Sequence, residues 1–142
     1  MKILIKNGYI VNENKIFESD ILVNGELIEK IDKKISSTDI DKVIDCEGSL
    51  ILPGIIDDQV HFREPGYPKK ATIYSESRAA VAGGITSYFE MPNTNPSTTT
   101  IESLNHKFKI ASTSSLANYS FMFGGTNQNI NEVKKLPDCL LY

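Results

Sequence analysis

The sequence predicts an α/β protein in two parts: a small β-sandwich-like unit over residues 1–52, then the first three to four βα units of an incomplete (β/α)8 barrel over residues 53–142. Three observations predict it. Residues 2–50 break into short apolar runs separated by turn residues roughly every ten positions, as in small all-β units. From Ile51-Leu52-Pro53-Gly54 onward, strand patterns alternate with helical ones, which implies parallel pairing through right-handed crossovers. In that second part the polar residues gather where the strands run out, which is where barrels build their sites.

Lys2 to Lys6 alternates as a strand, and Asn7-Gly8 reads as a turn before Tyr9-Ile10-Val11. Asn12-Glu13-Asn14 is a second, polar turn. Lys15 to Val23 alternates through Ile16, Ile21 and Val23, and Asn24-Gly25 marks a two-residue hairpin because both positions tolerate positive φ. Glu26 to Ile31 is the returning strand, Ser36 to Asp39 a loop, and Lys42 to Cys46 a further strand before the turn Glu47-Gly48. In the second part, Ile55 and Ile56 open a buried strand. Ala71 to Ala82 is rich in helix formers and ends at Gly83-Gly84. Ile85 to Met91 is the next strand, closed by Pro92. Thr100 to Ala111 fits an amphipathic helix with Ile101, Leu104, Phe108 and Ala111 on one face. Ala117 to Phe123 is a third strand, Asn129 to Leu136 a short helix, and Leu140-Leu141-Tyr142 the beginning of a fourth strand.

Length bears on the barrel. A barrel takes about 250 residues, and 89 follow Pro53. The expectation is therefore the N-terminal part of a larger enzyme, since three units alone would leave an open sheet edge. No Gly-rich phosphate loop follows the first strand of the second part, which takes support from a dinucleotide-binding sheet.

Composition narrows the function classes. Apolar residues make up 40 % and charged residues 23 %, ordinary for a globular protein. No apolar run approaches the roughly 18 residues of a membrane span, and the N-terminus is apolar for too short a distance to be a signal peptide. The expected compartment is the cytoplasm. Cys46 and Cys139 lie far apart and form no CxxC pair, which argues against a disulfide framework or a zinc knuckle. The net charge of −3 offers no basic field for nucleic acid. Residues 1–53 hold 7 Lys against 10 Asp or Glu, whereas residues 54–142 balance 8 Lys or Arg against 8 Asp or Glu. The neutral part suits a small anionic ligand held by local groups.

One stretch concentrates the chemistry. After Ile55-Ile56 come Asp57, Gln59, His61 and Arg63 at steps of two, then Pro65-Gly66. In a strand such residues share one face, so an acid, an amide, an imidazole and a guanidinium would line up above a turn. His61 can ligate zinc, and a second ligand at i−2 could reach the same ion, though the Gln59 amide is a neutral and weaker donor. Arg63 suits a carboxylate, which a guanidinium holds through two parallel hydrogen bonds. Its bland alternative is a rim salt bridge to Glu64 or Asp58. Met91-Pro92-Asn93-Thr94 sets an Asn over the end of the second barrel strand. By itself that is an ordinary turn. His106 falls on a polar helix face and reads as solvent-exposed.

Asp57-Asp58-Gln59-Val60-His61-Phe62-Arg63-Glu64-Pro65-Gly66 and Met91-Pro92-Asn93-Thr94 together resemble two motifs of dihydroorotases of the long bacterial type, in the amidohydrolase superfamily. The first matches at every diagnostic position except Gln59, which stands where the family has its first metal-binding histidine. The resemblance runs over essentially the whole chain. It implies a metal-dependent barrel hydrolase that interconverts N-carbamoyl-L-aspartate and L-dihydroorotate in pyrimidine biosynthesis, with one or two Zn2+ ions in the complete enzyme. It implies metal binding by His61, with Gln59 as a weak second candidate, and substrate-carboxylate binding by Arg63 and Asn93. The carboxylated lysine, the two further histidines and the aspartate general base of the family would come from the fourth, fifth, sixth and eighth strands, beyond Tyr142. No catalytic base is therefore expected in this chain, which should be inactive alone. The expected partners are a small anionic substrate, no nucleic acid, no membrane, and in the complete enzyme a possible second copy as a homodimer. Two alternatives stand beside this reading: a hydantoinase- or allantoinase-type cyclic amidase, and a dihydroorotase-like structural partner that Gln59 has deprived of metal.

Overall fold

The computed structural model describes residues 1–136, which fall into two compact units divided between Pro53 and Gly54. The strand expected at Leu140-Leu141-Tyr142, and Cys139, lie outside the described residues.

The first unit is built on β1 (Lys2–Asn12), which pairs antiparallel with β2 (Lys15–Asn24) and parallel with β4 (Lys42–Asp45) and β5 (Leu50–Ile51). β3 (Leu27–Asp32) adds to the far side of β2, antiparallel. The unit is β-rich, as expected, but its described strands form one mixed sheet rather than a sandwich. Leu4, Leu22 and Ile35 form its buried cluster, against which Ile40 packs. Asn7-Gly8 is not a turn. Asn7 takes φ 57 inside a register shift of β1, and the strand continues past it. The buried Asp20 carboxylate accepts the Asn7 N–H at 3.3 Å and the Ile35 N–H at 3.0 Å, which holds the bulge and the Ile35 loop to one acceptor. Two residues close the β2–β3 hairpin, Gly25 and Glu26. Only Gly25 needs positive φ, at 61°, while Asn24 stays paired with Leu27.

The second unit alternates β6 (Ile55–Val60), α1 (Ile73–Ala82), β7 (Ile85–Glu90), α2 (Ile101–Ser114), β8 (Asn118–Phe121) and α3 (Ile130–Val133). β6, β7 and β8 form a parallel sheet in sequence order, the pairing that needs a crossover between neighbouring strands. Both long helices start on the same device. Thr72 caps α1 and Thr100 caps α2, each exchanging hydrogen bonds with the Ser three residues on. Each first amide is also taken by a carboxylate from outside the helix, Glu64 for Ile73 at 2.7 Å and Glu132 for Ile101 at 2.9 Å.

The core lies between helices and sheet, around Val60, Phe62, Ile73, Tyr88, Leu104 and Phe121. The Phe62 and Tyr88 rings sit 4.5 Å apart, and the Tyr88 hydroxyl donates to Ser115 Oγ at 3.1 Å. The expected burial of Ile55 and Ile56 does not occur. They are 53 % and 64 % exposed, because β6 pairs only with β7 among the described residues. No described helix is long and apolar enough to cross a membrane.

Two measurements test this packing. Ile73→Ala empties a position with 0 % exposure and should cost about 2–5 kcal/mol in urea denaturation. Ile28→Ala, on the exposed β3, should stay within about 0.5 kcal/mol of the parent. Burial pushes the Tyr88 phenol up to about 12, with the Ser115 hydrogen bond opposing. The unfolded phenol titrates near pH 10, so the fold favours the neutral form. The resulting stability is complete below about pH 10 and lost as pH rises through about 12. Phenolate absorbance should show that late step in the parent chain and lose it in Tyr88→Phe.

Candidate functional site

β6 ends at Val60, so only Asp57 and Gln59 of the polar series lie in the strand. His61 and Arg63 fall in the following loop, and the expected single face of alternating polar residues is broken there. The cause is visible in the backbone. The β6–β7 register shifts between Asp57 and Val60, and Arg63 turns left-handed at φ 66. Few non-glycine residues hold that conformation.

The loop brings the two sequence motifs together. His61 Nδ1 lies 3.0 Å from Asn93 Oδ1. A carboxamide oxygen can only accept, so His61 donates from Nδ1, and in the neutral ring Nε2 then carries the lone pair. Asn93 is left with its amide N–H groups, which meet no acceptor among the described residues. Further along, the Asn95 N–H donates to the Pro65 carbonyl at 3.2 Å. Gly66, at φ 99, lies so close to Asn95 that a Cβ would stand 2.3 Å from the Asn95 carbonyl oxygen.

Arg63 makes neither of the salt bridges weighed from the sequence. Glu64 is committed to the N-terminus of α1, and the Arg63 guanidinium has no carboxylate partner among the described residues. Gln59 is exposed. Its backbone N–H donates to Asp57 Oδ1 at 3.1 Å, and its side chain forms no hydrogen bond among the described residues. His106 is exposed, as expected.

Sequence reasoning missed the charges beneath this loop. Glu90, at the end of β7, and Lys107, on α2, form an ion pair at 0 % and 1 % side-chain exposure. The Lys107 ammonium also donates to the Met91 carbonyl at 3.0 Å and lies 5.0 Å from the centre of the Phe121 ring. Burial pushes the Glu90 carboxyl up, while Lys107, the Arg63 backbone amide and His61 pull it back. Burial pushes the Lys107 amine down, against the attraction of Glu90. A signal was available. Lys107 sits three residues after Leu104 and four before Ala111, inside the apolar stripe of its helix.

Arg63 and Asn93 thus keep hydrogen-bond donors without an internal partner among the described residues, and the His61 ring lies against Asn93. Among the described residues no three His, Cys, Asp or Glu side chains converge as a metal site. One imidazole and one neutral amide do not fit a zinc ion by themselves.

Comparison with known proteins places the chain among the amidohydrolase-like proteins. The model of the family described as dihydro-orotase-like matches residues 48–133, more than half of the chain. The chain belongs to that family. It is 50 % identical over 97 residues to a dihydroorotase of Bacillus subtilis, covering 68 % of this chain and 22 % of the relative. It is 36 % identical over 138 residues to an allantoinase of Desulfitobacterium hafniense, covering 96 % of this chain and 30 % of the relative. An L-hydantoinase (dihydropyrimidinase) of Arthrobacter aurescens superposes with a TM-score of 0.87 at 31 % identity, covering 94 % of this chain and 30 % of that one. The chain thus spans less than a third of the length of each of these relatives.

The Gly66 contact gives a local test. Gly66→Ala adds a Cβ against backbone at a positive φ, and should cost about 1–3 kcal/mol. Amide hydrogen exchange should locate the damage: the Asn95 N–H should lose protection before the amides of β7 do.

Proposed function

We propose that this chain carries the carboxylate-binding wall of a dihydroorotase-type cyclic amidohydrolase, acting on N-carbamoyl-L-aspartate and L-dihydroorotate. The observation that carries the reading is the His61–Asn93 contact at 3.0 Å, which joins the two motifs and leaves the amide N–H groups of the exposed Asn93 without an acceptor among the described residues. Arg63 would hold the substrate carboxylate through paired hydrogen bonds, and Asn93 would add a donor to the same group. His61 Nε2 would be this wall's contribution to the Zn2+ that the family resemblance implies. Gln59 is a poor second ligand, and no step through a metal is assigned to these residues. In the same reading the parallel sheet β6-β7-β8 is the first part of an eight-stranded barrel, and the catalytic base comes from a segment outside residues 1–142.

The allantoinase relative at 36 % identity favours a second reading, a cyclic amidase for a substrate without a carboxylate. The two separate by binding. Titrated with L-dihydroorotate, N-carbamoyl-L-aspartate, allantoin and hydantoin, the chain should show shifts of the Arg63 guanidinium and Asn93 carboxamide NMR signals with the first two ligands only. Arg63→Met should abolish them. Equal response to allantoin, or a response that survives Arg63→Met, would replace the first reading by the second. Turnover of dihydroorotate by the chain itself would contradict the assignment of the base to another segment.

A further inference from the structure

Glu90 and Lys107 lie outside the donor set of Arg63, Asn93 and His61, yet they are among the most completely buried side chains of the second unit. Their place in the backbone matters. The Met91 N–H donates to the Val60 carbonyl at 3.0 Å, the last carbonyl of β6, and the Met122 N–H donates to the Glu90 carbonyl at 2.9 Å, just past the end of β8. Glu90-Met91 is thus the peptide at which the middle strand is tied to both neighbours. The next carbonyl, that of Met91, points to no strand and is taken by the Lys107 ammonium. Pro92 comes next with its φ fixed by the ring, and then Asn93.

An apolar pair of similar size could fill the same space, and would often be at least as stable. It could not supply a donor for the Met91 carbonyl or hold that donor in place with a countercharge. A lone buried lysine would do the first but would leave its charge unpaired, which is strongly unfavourable. The carboxylate of Glu90 solves this. It fixes the ammonium on one side, and the ammonium fixes the Met91 peptide on the other.

We propose that the Glu90–Lys107 pair is a positioning element: it sets the Met91 peptide, through it the Asn93 carboxamide, and through that the orientation of the His61 ring. The proposal rests on reading His61 and Asn93 as site residues, and neither group of the pair touches substrate. Rigid support of this kind is what keeps a binding constellation within about 0.5 Å of its working geometry.

The test reads geometry rather than turnover, so it is independent of which ligand the wall holds. In the parent chain the Lys107 ammonium should give a solvent-protected 15N–1H signal with through-bond coupling to the Met91 carbonyl carbon. Absence of that signal overturns the proposal whatever the variants do. The double variant Glu90→Gln/Lys107→Met leaves no unpaired buried charge. It should keep the Tyr88 and Phe121 amide shifts of the folded sheet while losing the His61 Nδ1-bound proton signal and shifting the Asn93 carboxamide signals as Oδ1 loses its His61 donor. Leu104→Ala serves as the control, a core truncation that lowers stability without touching the pair. It should leave the His61 and Asn93 signals in place. If Leu104→Ala disturbs those signals as much as the double variant does, or if the folded double variant keeps them, the pair is packing and the proposal fails. Intact positioning signals with no response to L-dihydroorotate would instead count against the substrate reading alone.

Discussion

Taking a carboxylate and an ammonium out of water costs several kcal/mol per ion even after relaxation, and Glu90 and Lys107 bear that cost almost in full at 0 % and 1 % exposure. Their mutual attraction roughly offsets it, so the pair need add little net stability. Its effect is a constraint on geometry. Once the ammonium is buried it must remain beside Glu90 and the Met91 carbonyl, so α2 and the end of β7 cannot drift apart without stranding a charge. The aromatic layer of Tyr88, Tyr119, Phe108 and Phe121 closes around the same region and excludes the water that would let the charges separate. The loops that carry His61 and Asn93 are built directly on top of this fixed point.

A second set of carboxylates shapes the same end of the unit by being occupied. Glu64 and Glu132 each accept the first amide of a long helix, where a negative charge also meets the positive end of the helix dipole. This commits the acid next to Arg63 to architecture. The guanidinium is left without an internal partner among the described residues, half-buried in the loop between β6 and α1. Charge neutrality of the second part of the sequence conceals this arrangement. The local cation is unbalanced because its neighbouring anion is engaged elsewhere.

Much of the architecture was legible from periodicity. The alternation of strand and helix, the caps at Gly83-Gly84, and the apolar face of α2 at Ile101, Leu104, Phe108 and Ala111 depend on local side-chain spacing, and local spacing is what a sequence displays. The failures share a cause. Asn7 and Arg63 take positive φ, which Asn tolerates within a strand as well as in a turn and Arg rarely adopts, and each breaks the regular step of two around it. The sequence does not display the pairing of Lys107 with Glu90, because the two lie 17 positions apart on different elements. Ile55 and Ile56 read as buried because an apolar run implies neighbours on both sides, which the described sheet does not supply. At the site, residue types were legible and their relations were not. The meeting of His61 with Asn93 spans 32 positions and two loops.

The relation between Gln59 and His61 is the clearest case. Two ligands at i and i+2 reach one ion only if the strand between them stays regular. Here the ladder is irregular from Asp57 to Val60, the strand stops at Val60, and the exposed Gln59 is chemically the weaker donor. The metal half of the motif is therefore interrupted both in geometry and in chemistry. The free donors are not: among the described residues Arg63 has no carboxylate partner and the exposed Asn93 has no acceptor for its amide N–H groups. Substitution of Gln59 by His would restore the chemistry without restoring the regular strand. By this argument it would add less toward a metal ion than a histidine placed in an unbroken strand, and it would leave the His61–Asn93 contact as it is.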